Sequence, residues 1–523
     1  MIAVQVGADL TKHADFDQLF RQWLGGTSPL GSATVDLEQF LAGGDGSLRL
    51  GPAWQDDAWR VSWQADFLAD LPSPADRDLC RSAIDRLVQG RAEVVITGQQ
   101  PGFLGGPLYT AYKIATAVAL AELRTAAGAP TVPVFWSAGD DDDLREALQP
   151  MAWDPGCGVM LRHERHGQRS LGVDRMIGAW QTADIATGAS SWLQGMAGRS
   201  ELAADLADLW REGMATGLTW GRLQRRALLR MFQGRGLLVV HGDDPAMHAA
   251  AAPLYETIWE RRDEVREAAR RGGTGLESAG FGPALSEASI QRFLHRGEDG
   301  RRQPLPADYI GALPPATELR PGVVARSPVQ DWLFQPVGVV IGPGEVAYLK
   351  QLEPVYSLLD LPRSPLLPRL FAQLGPEGHG EFRAWAMELA DRDQDSPADN
   401  DPDGAQHVAA VARAELREHL QRTAGADEAR ADVLAQQVVE RWARYLAGVV
   451  GRENQRRRRR TGDDHTSWLR PDGRRQERSL ATVAAAALWG EGLVEALAHA
   501  GRRHLDAGLA GDWCEYLLTV PEP

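Results

Sequence analysis

Residues 93–113, EVVITGQQPGFLGGPLYTAYK, carry the clearest structural pattern in the chain. A short apolar run at 93–97 ends at a glycine, which is typical of a buried strand. Pro107 then opens a helical pattern that continues to about residue 128, because proline suits the first turn of a helix. A second apolar run follows at 132–136. Strand, long helix and strand in this order predict a βαβ unit, and therefore a parallel sheet.

Two further apolar runs extend the predicted sheet. Residues 236–241 precede a glycine and two aspartates, and residues 337–341 precede Gly342-Pro343-Gly344-Glu345. A helical pattern follows each of them. This alternation of strands and helices predicts an α/β fold built on a parallel sheet.

Charge and periodicity divide the chain further. The acidic stretch at 393–404 separates the sheet region from two amphipathic helical patterns, whose apolar stripe must be buried against a partner. A helical hairpin or short coiled coil is therefore predicted. The expected parts are a mixed segment at 1–90 that packs on the core, the core at 91–390 with insertions at about 150–235 and 270–320, the helical hairpin at 391–470, and a C-terminal helical segment at 471–523 that returns to the core.

The composition is that of an ordinary globular protein. The chain has 523 residues, of which 44% are hydrophobic and 24% charged, and its net charge is −15. This charge argues against non-specific binding to nucleic acid or to anionic membranes. No apolar run reaches the roughly 18 residues of a membrane span, and no signal-peptide pattern opens the chain. Three scattered cysteines predict reduced thiols and neither a disulfide framework nor a metal site, so a cytoplasmic location is expected.

The loop after the first predicted strand is rich in glycine. In open parallel sheets, ligands bind at the carboxyl ends of the strands. Four glycines between residues 98 and 106 let backbone N–H groups approach a ligand, and the N-terminus of the next helix adds positive charge that suits phosphate. A tight structural turn is the alternative. The candidate nucleotide-binding residues are Thr97, Gly98, Gln99, Gln100, Gly105 and Gly106, with Lys113 about two turns into the helix.

Lysine is scarce in this chain. Only Lys12, Lys113 and Lys350 occur among 56 basic residues. In such an arginine-rich chain, a retained lysine can mark a position where a planar guanidinium will not serve. Lys113 and Lys350 both lie within motifs, and Lys113 is the first catalytic candidate.

Four consecutive aspartates, Asp140 to Asp143, follow the second predicted strand. Their repulsion, about 1 kcal/mol for each close exposed pair, requires solvent, a cation or a cationic substrate. A solvated acidic loop is the alternative. Because both strand ends of a βαβ unit face the same edge, we expect amides on one side of a crevice and carboxylates on the other, which suits a nucleotide with Mg²⁺ or beside an amine.

The candidate residues around this crevice fall into two groups. Asp141 and Asp143 are candidates for catalysis. The candidates for binding a substrate are Trp136, Asp140, Gln330, Asp331, Glu345, Tyr348, Gln351 and Arg369.

Six motifs, taken in order, resemble one known family. They are TGQQPGFLGGPLYTAYK (97–113), PVFWSAGDDDDLRE (133–146), LRPGVVARSPVQDW (319–332), GPGEVAYLKQL (342–352), PLLPR (365–369) and WLRPDGRRQERSL (468–480). They are similar to the bacillithiol-biosynthesis cysteine-adding enzymes, BshC. The resemblance spans about residues 90–370 closely and the C-terminal region loosely.

The resemblance implies a Rossmann core related to class I aminoacyl-tRNA synthetases, with a coiled-coil domain that links two copies into a homodimer. It also implies a ligase that adds L-cysteine to glucosaminyl-malate. Because joining a carboxyl to an amine needs an activated carboxyl, we expect the cysteine carboxylate to attack ATP, with Mg²⁺, and give cysteinyl adenylate. Residues 97–113 would then bind the nucleotide, and Lys113 would stabilise charge on its phosphates. Asp141 or Asp143 would hold Mg²⁺, orient the attacking amine or act as its base.

Three positions depart from the family pattern. Asp142 stands where the family usually has a histidine, Gly105 where it usually has a threonine, and Lys350 where a neutral residue is expected. A ligase of the same fold with a different amine acceptor, and a non-catalytic protein built on a decayed ligase core, are therefore kept as alternatives. Five arginines at 456–460 are interpreted as a solvated helix end rather than a nucleic-acid site, since acidic residues lie nearby.

Overall fold

The computed structural model describes residues 2–31, 40–41, 51–154, 159–162, 175–181, 187–306, 309, 311–376, 474–509 and 511–520. The strands are β1 (Ala3–Asp9), β2 (Glu93–Gln99), β3 (Thr131–Ser137), β4 (Met151–Asp154), β5 (Val159–Arg162), β6 (Leu238–His241), β7 (Leu294–Glu298), β8 (Arg301–Pro304), β9 (Leu319–Pro321), β10 (Gly338–Ile341), β11 (Leu366–Pro368), β12 (Ala372–Pro376) and β13 (Cys514–Val520).

The helices are α1 (Gln18–Leu24), α2 (Pro52–Gln55), α3 (Asp57–Ala69), α4 (Pro74–Val88), α5 (Tyr109–Ala126), α6 (Leu144–Ala147), α7 (Thr187–Met196), α8 (Glu201–Thr216), α9 (Trp220–Met231), α10 (Pro245–Ala250), α11 (Ala252–Glu260), α12 (Arg262–Ser278), α13 (Glu287–Gln291), α14 (Val323–Phe334), α15 (Pro343–Gln351), α16 (Glu353–Leu358), α17 (Gln476–Ser479) and α18 (Thr482–Leu509). Short 3₁₀ helices lie at Phe103–Gly105, Ile177–Ala179 and Ala316–Glu318. The predicted helical hairpin at 391–470, with its arginine run, lies outside the described residues.

Five parallel strands form the central sheet, in the order β11-β10-β2-β3-β6. The chain therefore starts in the middle, builds one half of the sheet with β3 and β6, and returns to build the other half with β10 and β11, as in a Rossmann fold. The strands predicted from the four apolar runs are β2, β3, β6 and β10. The predicted α/β fold with a parallel sheet is confirmed, and its strand order reverses between β2 and β10.

Helix α5 is buried because it lies between the sheet and the C-terminal helix α18. Its residues are apolar almost all round, which is typical of a core helix. The two helices approach closely at Gly501, where a Cβ would lie only 3.0 Å from the backbone oxygen of Ala115. On the other side of α5, all seven residues of β3 are buried. The sheet that positions the strand-end loops is thus deep in the core.

A second sheet joins distant parts of the described chain. β1 pairs antiparallel with β13, and β13 pairs in parallel with β12. The N-terminal strand is thereby attached to the segment that follows the central sheet. The division of the chain into domains at the predicted boundaries stays a prediction.

None of the helices in the described ranges is long and apolar enough to cross a lipid bilayer.

A close contact between backbones holds helix α15 against α12. A Cβ added at Gly272 of α12 would overlap the backbone oxygen of Gln351, the last residue of α15. Gly275, on the same helix, has no atom within 4 Å of the place where its Cβ would lie. The missing side chain at position 272 therefore sets the distance between the two helices.

We expect Gly272→Ala to destabilise the fold by about 1–3 kcal/mol, because the added methyl group forces α12 and α15 apart. Gly275→Ala is the matched control, and we expect it to stabilise the fold by up to about 1 kcal/mol, since alanine favours a helix. Urea or thermal unfolding measures both effects. Equal changes in the two variants would contradict the close contact.

Candidate active site

A cleft of about 460 Å³ opens at the carboxyl ends of β2 and β10, where the strand order reverses. Helix α14 and the start of α15 form its other walls. The cleft brings together the following residues that the sequence predicted: Gly98, Gln99, Gln100, Lys113, Trp136, Asp141, Gln330, Asp331, Glu345, Tyr348 and Arg369. It adds Tyr109, Glu146, Arg326, Tyr356 and Arg363.

Lys113 lies in the wall of this cleft, with its side chain only 3% exposed. Its ammonium donates to the backbone oxygen of Gly98 at 2.9 Å and to Oε1 of Gln99 at 3.2 Å. It also pairs with Oε2 of Glu345 at 2.6 Å. These contacts use all three N–H donors of an ammonium. Lys113 therefore joins β2 to α15 across the point where the strand order reverses. Its charge can act on a ligand at a distance, but a direct hydrogen bond to a ligand requires that one of these three contacts be broken.

Glu345 occupies the first turn of α15. Its Oε2 accepts the backbone N–H of Gly342 at 2.7 Å, which caps the helix, and Tyr348 donates to its Oε1 at 3.4 Å. The turn Gly342-Pro343-Gly344 lines the cleft. The positive end of this helix dipole therefore borders the cleft and suits an anionic group.

Gln99 connects Lys113 to a second carboxylate, Glu146. Its Nε2 donates to the hydroxyl oxygen of Tyr109 at 3.3 Å and to Oε1 of Glu146 at 3.4 Å, and Tyr109 donates to the same Oε1 at 3.1 Å. Burial raises the pKa of Glu146, and the hydrogen bond from Tyr109 offsets this only in part. Glu146 thus holds a proton more readily than an exposed glutamate does.

Arg326 of α14 pairs with the first two residues of the acidic run. It donates to Oδ2 of Asp141 at 2.8 Å and to Oδ2 of Asp140 at 3.2 Å. Asp140 is fully buried, so the start of the run is not a solvated loop. Burial alone would raise the pKa of Asp141, but Arg326 and Arg302 outweigh it and lower that pKa to about 2. Asp141 is therefore charged at neutral pH and a weak base.

The last two aspartates of the run have other surroundings. Asp142, at the position of the family histidine, has its side chain 41% exposed, and its Oδ1 lies 3.6 Å from Nη1 of Arg302. Asp143 caps α6 by accepting the backbone N–H of Glu146 at 3.0 Å. Asp143 borders a cavity beside the cleft rather than the cleft itself.

One corner of the cleft combines Asp331, Tyr356 and Arg363. Tyr356 donates to Oδ2 of Asp331 at 2.9 Å, and Gln330 donates to Oδ1 at 3.4 Å. Burial raises the pKa of Asp331 to about 6. Arg363 lies over the ring of Tyr356, with its Cζ 4.4 Å from the ring centre. This corner therefore presents a carboxylate and a guanidinium to the same space.

The glycine loop leaves the cleft after Gln100. The backbone N–H groups of Gly105 and Gly106 both donate to the backbone oxygen of Gly102 at 3.0 Å. The backbone N–H of Thr482 donates to the backbone oxygen of Gly106 at 2.8 Å. Gly105 and Gly106 have φ values of +83° and +81°, which favour glycine. The structure places these two predicted phosphate ligands against the start of α18, because the loop turns back to pack there.

Three further predicted residues have partners within the protein. Thr97 donates to the backbone oxygen of Val340 at 2.8 Å and so joins β2 to β10. Gln351 lies outside the cleft, where its Oε1 accepts two backbone N–H groups and its Nε2 donates to Ala269. Arg369 borders the cleft, but Glu477 holds its guanidinium at 2.6 and 3.1 Å.

The five residues that the cleft adds were not among the candidates from the sequence. Tyr109, Glu146 and Arg326 lie inside the quoted motifs, so a signal for them was present. Tyr356 and Arg363 lie between motifs, and no pattern in the sequence marks them.

The acidic run is the place in the cleft region where carboxylates are most concentrated and where Mg²⁺ was predicted. Within the described ranges, no group of three or more histidine, cysteine, aspartate or glutamate side chains is arranged to hold a metal ion. Asp140 and Asp141 are paired with Arg326, so they do not form a ready Mg²⁺ site. Mg²⁺ is often bound by nucleotide phosphates together with one or two carboxylates. A role for Mg²⁺ stays a prediction tied to the nucleotide.

Comparisons with known proteins agree with the motifs. The family model described as "Bacillithiol biosynthesis BshC, N-terminal Rossmann-like domain" matches residues 66–309 and 314–370. Proteins named "Putative cysteine ligase BshC" from Shouchella clausii, Bacillus licheniformis and Koribacter versatilis are 28%, 27% and 28% identical to this chain. These alignments cover 60%, 58% and 68% of the chain. They cover 61%, 60% and 68% of the relatives, so the chain spans less than two thirds of the length of the first two. The chain belongs to the bacillithiol biosynthesis BshC family.

Proposed function

We propose that this chain is a ligase that joins the carboxyl group of L-cysteine to the amine of glucosaminyl-malate, with ATP as the energy source, in the last step of bacillithiol biosynthesis. The observation that carries the proposal is the cleft where the strand order reverses. It combines a buried ammonium, a helix N-terminus and the carboxyl groups of Glu146 and Asp331 within the residues that the family model matches. The name cysteine ligase, given to the relatives, supports the reaction class.

Phosphate groups of ATP fit best beside Lys113 and the first turn of α15. A cysteine carboxylate that approaches a phosphate meets strong repulsion between negative charges. Fixed positive groups reduce this repulsion without having to reorganise during the reaction. Lys113 is held in place by three contacts, and the turn at Gly342 is fixed by Glu345. The cysteine carboxylate attacks the α-phosphate of ATP, which forms cysteinyl adenylate and releases pyrophosphate. The glucosamine amine then attacks the carbonyl carbon of the adenylate, loses a proton and displaces AMP, which leaves the amide.

Glu146 is better suited than Asp141 to accept the proton of the amine. Both carboxyl groups line the cleft. The pKa of Glu146 is raised by burial, whereas two arginines hold the pKa of Asp141 at about 2. A general base works best when its pKa approaches the operating pH. We therefore assign the role of base to Glu146.

Glu146→Gln is expected to slow amide formation by about 10²–10⁴-fold, the usual contribution of a general base. The acidic limb of the pH–rate profile should disappear as well, because the rate of the parent protein rises as Glu146 loses its proton. Asp143→Asn is the matched control: asparagine caps a helix as well as aspartate, so α6 is kept while a nearby charge is removed. An equal loss in both variants would argue against Glu146 as the base.

The proposed function as a whole is tested by product analysis. The purified chain is incubated with ATP, L-cysteine and glucosaminyl-malate, and bacillithiol is sought by mass spectrometry. Formation of bacillithiol supports the proposal. Cysteine-dependent ATP cleavage without bacillithiol would indicate another amine acceptor. Neither activity would contradict the proposal and favour a non-catalytic protein built on the ligase fold.

A further inference from the structure

We propose that Asp331 and Arg363 bind the two charged ends of a free α-amino acid, with the α-ammonium group at Asp331 and the α-carboxylate at Arg363. The inference rests on the proposed function, in which the amino acid is cysteine. It assigns that substrate to one corner of the cleft and adds Arg363 as a binding residue.

Arg363 has an unusual environment for an arginine. Its Nε and Nη2 atoms are buried and have no hydrogen-bond partner. Within the described part of the chain, no carboxylate forms an ion pair with Arg363. Its guanidinium lies over the ring of Tyr356. A buried guanidinium without an acceptor is costly, whereas a charge-assisted hydrogen bond to a carboxylate oxygen satisfies it well. Arg363 as a whole is only half-buried and lines the cleft, so a ligand there can reach the accessible part of its side chain and draw the guanidinium towards an acceptor.

Asp331 is the complementary group in the same corner. Only 7% of the residue is exposed, yet Asp331 is among the residues that line the cleft. Tyr356 and Gln330 donate to its two oxygens and fix its orientation. A carboxylate accepts up to about four hydrogen bonds, so both oxygens keep capacity for a ligand. An ammonium group of a ligand would supply both the charge and the donors that this site lacks.

Asp331 and Arg363 are close enough for their charges to influence each other, but the described structure contains no ion pair between them. Tyr356 bridges them, since its hydroxyl contacts Asp331 and its ring supports Arg363. A ligand with only a negative group would meet repulsion from Asp331, and a simple amine would leave Arg363 unsatisfied. A ligand that carries both charges on neighbouring atoms, as an α-amino acid does, complements both.

This arrangement also serves the reaction. Arg363 can hold one carboxylate oxygen and offset its charge, so that the other oxygen can approach a phosphate group with less repulsion. Asp331 keeps the α-ammonium group charged and therefore unreactive, which prevents the substrate amine from competing with the acceptor amine.

The experiment compares three thiols that differ only in their charged groups. L-Cysteine has both, cysteamine lacks the carboxylate, and 3-mercaptopropionate lacks the ammonium group. Affinities are measured by calorimetry with the full chain, with and without ATP. We expect the parent protein to bind L-cysteine at least about 10-fold more tightly than either analogue, since each lost charged contact is worth roughly 1.5–3 kcal/mol.

Two variants separate the two contacts. In Asp331→Asn, the preference for L-cysteine over 3-mercaptopropionate should fall to about 3-fold or less, while the preference over cysteamine persists. In Arg363→Gln, the preference over cysteamine should fall and the preference over 3-mercaptopropionate persist. The assignment would be overturned if both variants lost both preferences, or if neither variant lost either preference. It would also be overturned if Arg363→Gln bound inorganic phosphate more weakly but bound L-cysteine as tightly as the parent protein does.

Thermal unfolding provides a control for folding. Because burial raises the pKa of Asp331 to about 6, the buried group stabilises the fold in its neutral form, and this stabilisation is lost as the pH rises from 3.8 through 6. Asp331→Asn should therefore melt at or above the temperature of the parent protein at neutral pH.

The binding site and the proposed function can fail separately. If bacillithiol forms but the protein shows no preference for L-cysteine over the two analogues, the binding site alone is refuted. If the preferences are present but no bacillithiol forms, the proposed function alone is refuted.

Discussion

Replacing Lys113 by alanine is expected to slow cysteine-dependent cleavage of ATP by about 10²–10³-fold, the range observed when one fixed electrostatic group is removed from an active site. The Lys113 ammonium is a buried positive charge beside β2 and β10, where the strand order reverses. It binds Gln99 and Glu345 and so holds both side chains in place. In the proposed reaction its charge also acts on the phosphate groups. Steady-state pyrophosphate release measures the effect. Lys350→Ala is the matched control, because Lys350 pairs with the exposed Glu353 and does not line the cleft.

A double variant separates two causes of this loss. Without Lys113, Glu345 leaves an unpaired negative charge beside the proposed phosphate position, and that charge alone would repel ATP. Lys113→Ala combined with Glu345→Gln removes both charges. If the positive charge of Lys113 is what the reaction needs, the double variant stays slow. Recovery to near the parent rate would show instead that Lys113 serves only to neutralise Glu345.

The central sheet was predictable because its strands carry a strong local signal. β2 and β3 are short apolar runs that end in glycine-rich or acidic loops, and in a parallel sheet these ends must lie on one edge. This geometry alone brought Gln99, Lys113 and Asp141 to one cleft. The reversal of strand order beside β2 depends on β10, more than 200 residues later, and a local pattern does not reveal it.

Helix geometry explains one misplaced residue and could have prevented the error. Glu345 and Tyr348 are three residues apart on α15 and share a face. Gln351 follows Glu345 by six residues, which turns it by about 240° around the helix axis. It accordingly faces α12 and binds Ala269, away from the cleft. The motif contains all three residues, and only the helical period shows that Gln351 lies on a different face from Glu345 and Tyr348.

The acidic run shows what local sequence does not contain. Repulsion among four aspartates required a compensating charge, and the sequence analysis considered solvent, Mg²⁺ or a substrate amine. For Asp140, Asp141 and Asp142 the compensation comes from Arg302 and Arg326, which lie about 160 and 185 residues further along the chain, while Asp143 is exposed to solvent. Pairing over such distances depends on the tertiary fold. It also lowers the pKa of Asp141 while burial raises that of Glu146, which is why we propose Glu146 as the base.

Glu477→Gln is expected to destabilise the protein by about 3–5 kcal/mol, because it breaks a buried ion-pair network. Glu477 is 2% exposed and holds Arg369 at 2.6 Å and Arg475 at 3.2 Å. Arg475 also pairs with Glu515 at 2.6 Å and with Asp15 at 3.1 Å. The network thus ties the end of the central sheet to both terminal segments. Glutamine keeps the shape of the side chain but leaves two buried guanidinium groups short of negative charge.

The melting temperature of Glu477→Gln should fall by roughly 5 °C or more at neutral pH. Glu353→Gln is the matched control, since it removes the carboxylate of an exposed pair with Lys350, and such pairs contribute only about 0–1 kcal/mol. A fall of similar size in both variants would contradict the importance of the buried network.

The pH dependence identifies charge as the cause of this stabilisation. Burial alone would raise the pKa values of Glu477 and Glu515. Arg369 and Arg475 outweigh it and lower the pKa of Glu477, and Arg475 with His13 lowers the pKa of Glu515 to about 2. Because these pKa values lie below the ordinary 4.5 in the folded protein, the carboxylates stabilise the fold above pH 4.5, and the stabilisation is lost as the pH falls towards 2. The difference in melting temperature between Glu477→Gln and the parent protein should therefore shrink in acid, whereas a difference caused by packing would remain constant.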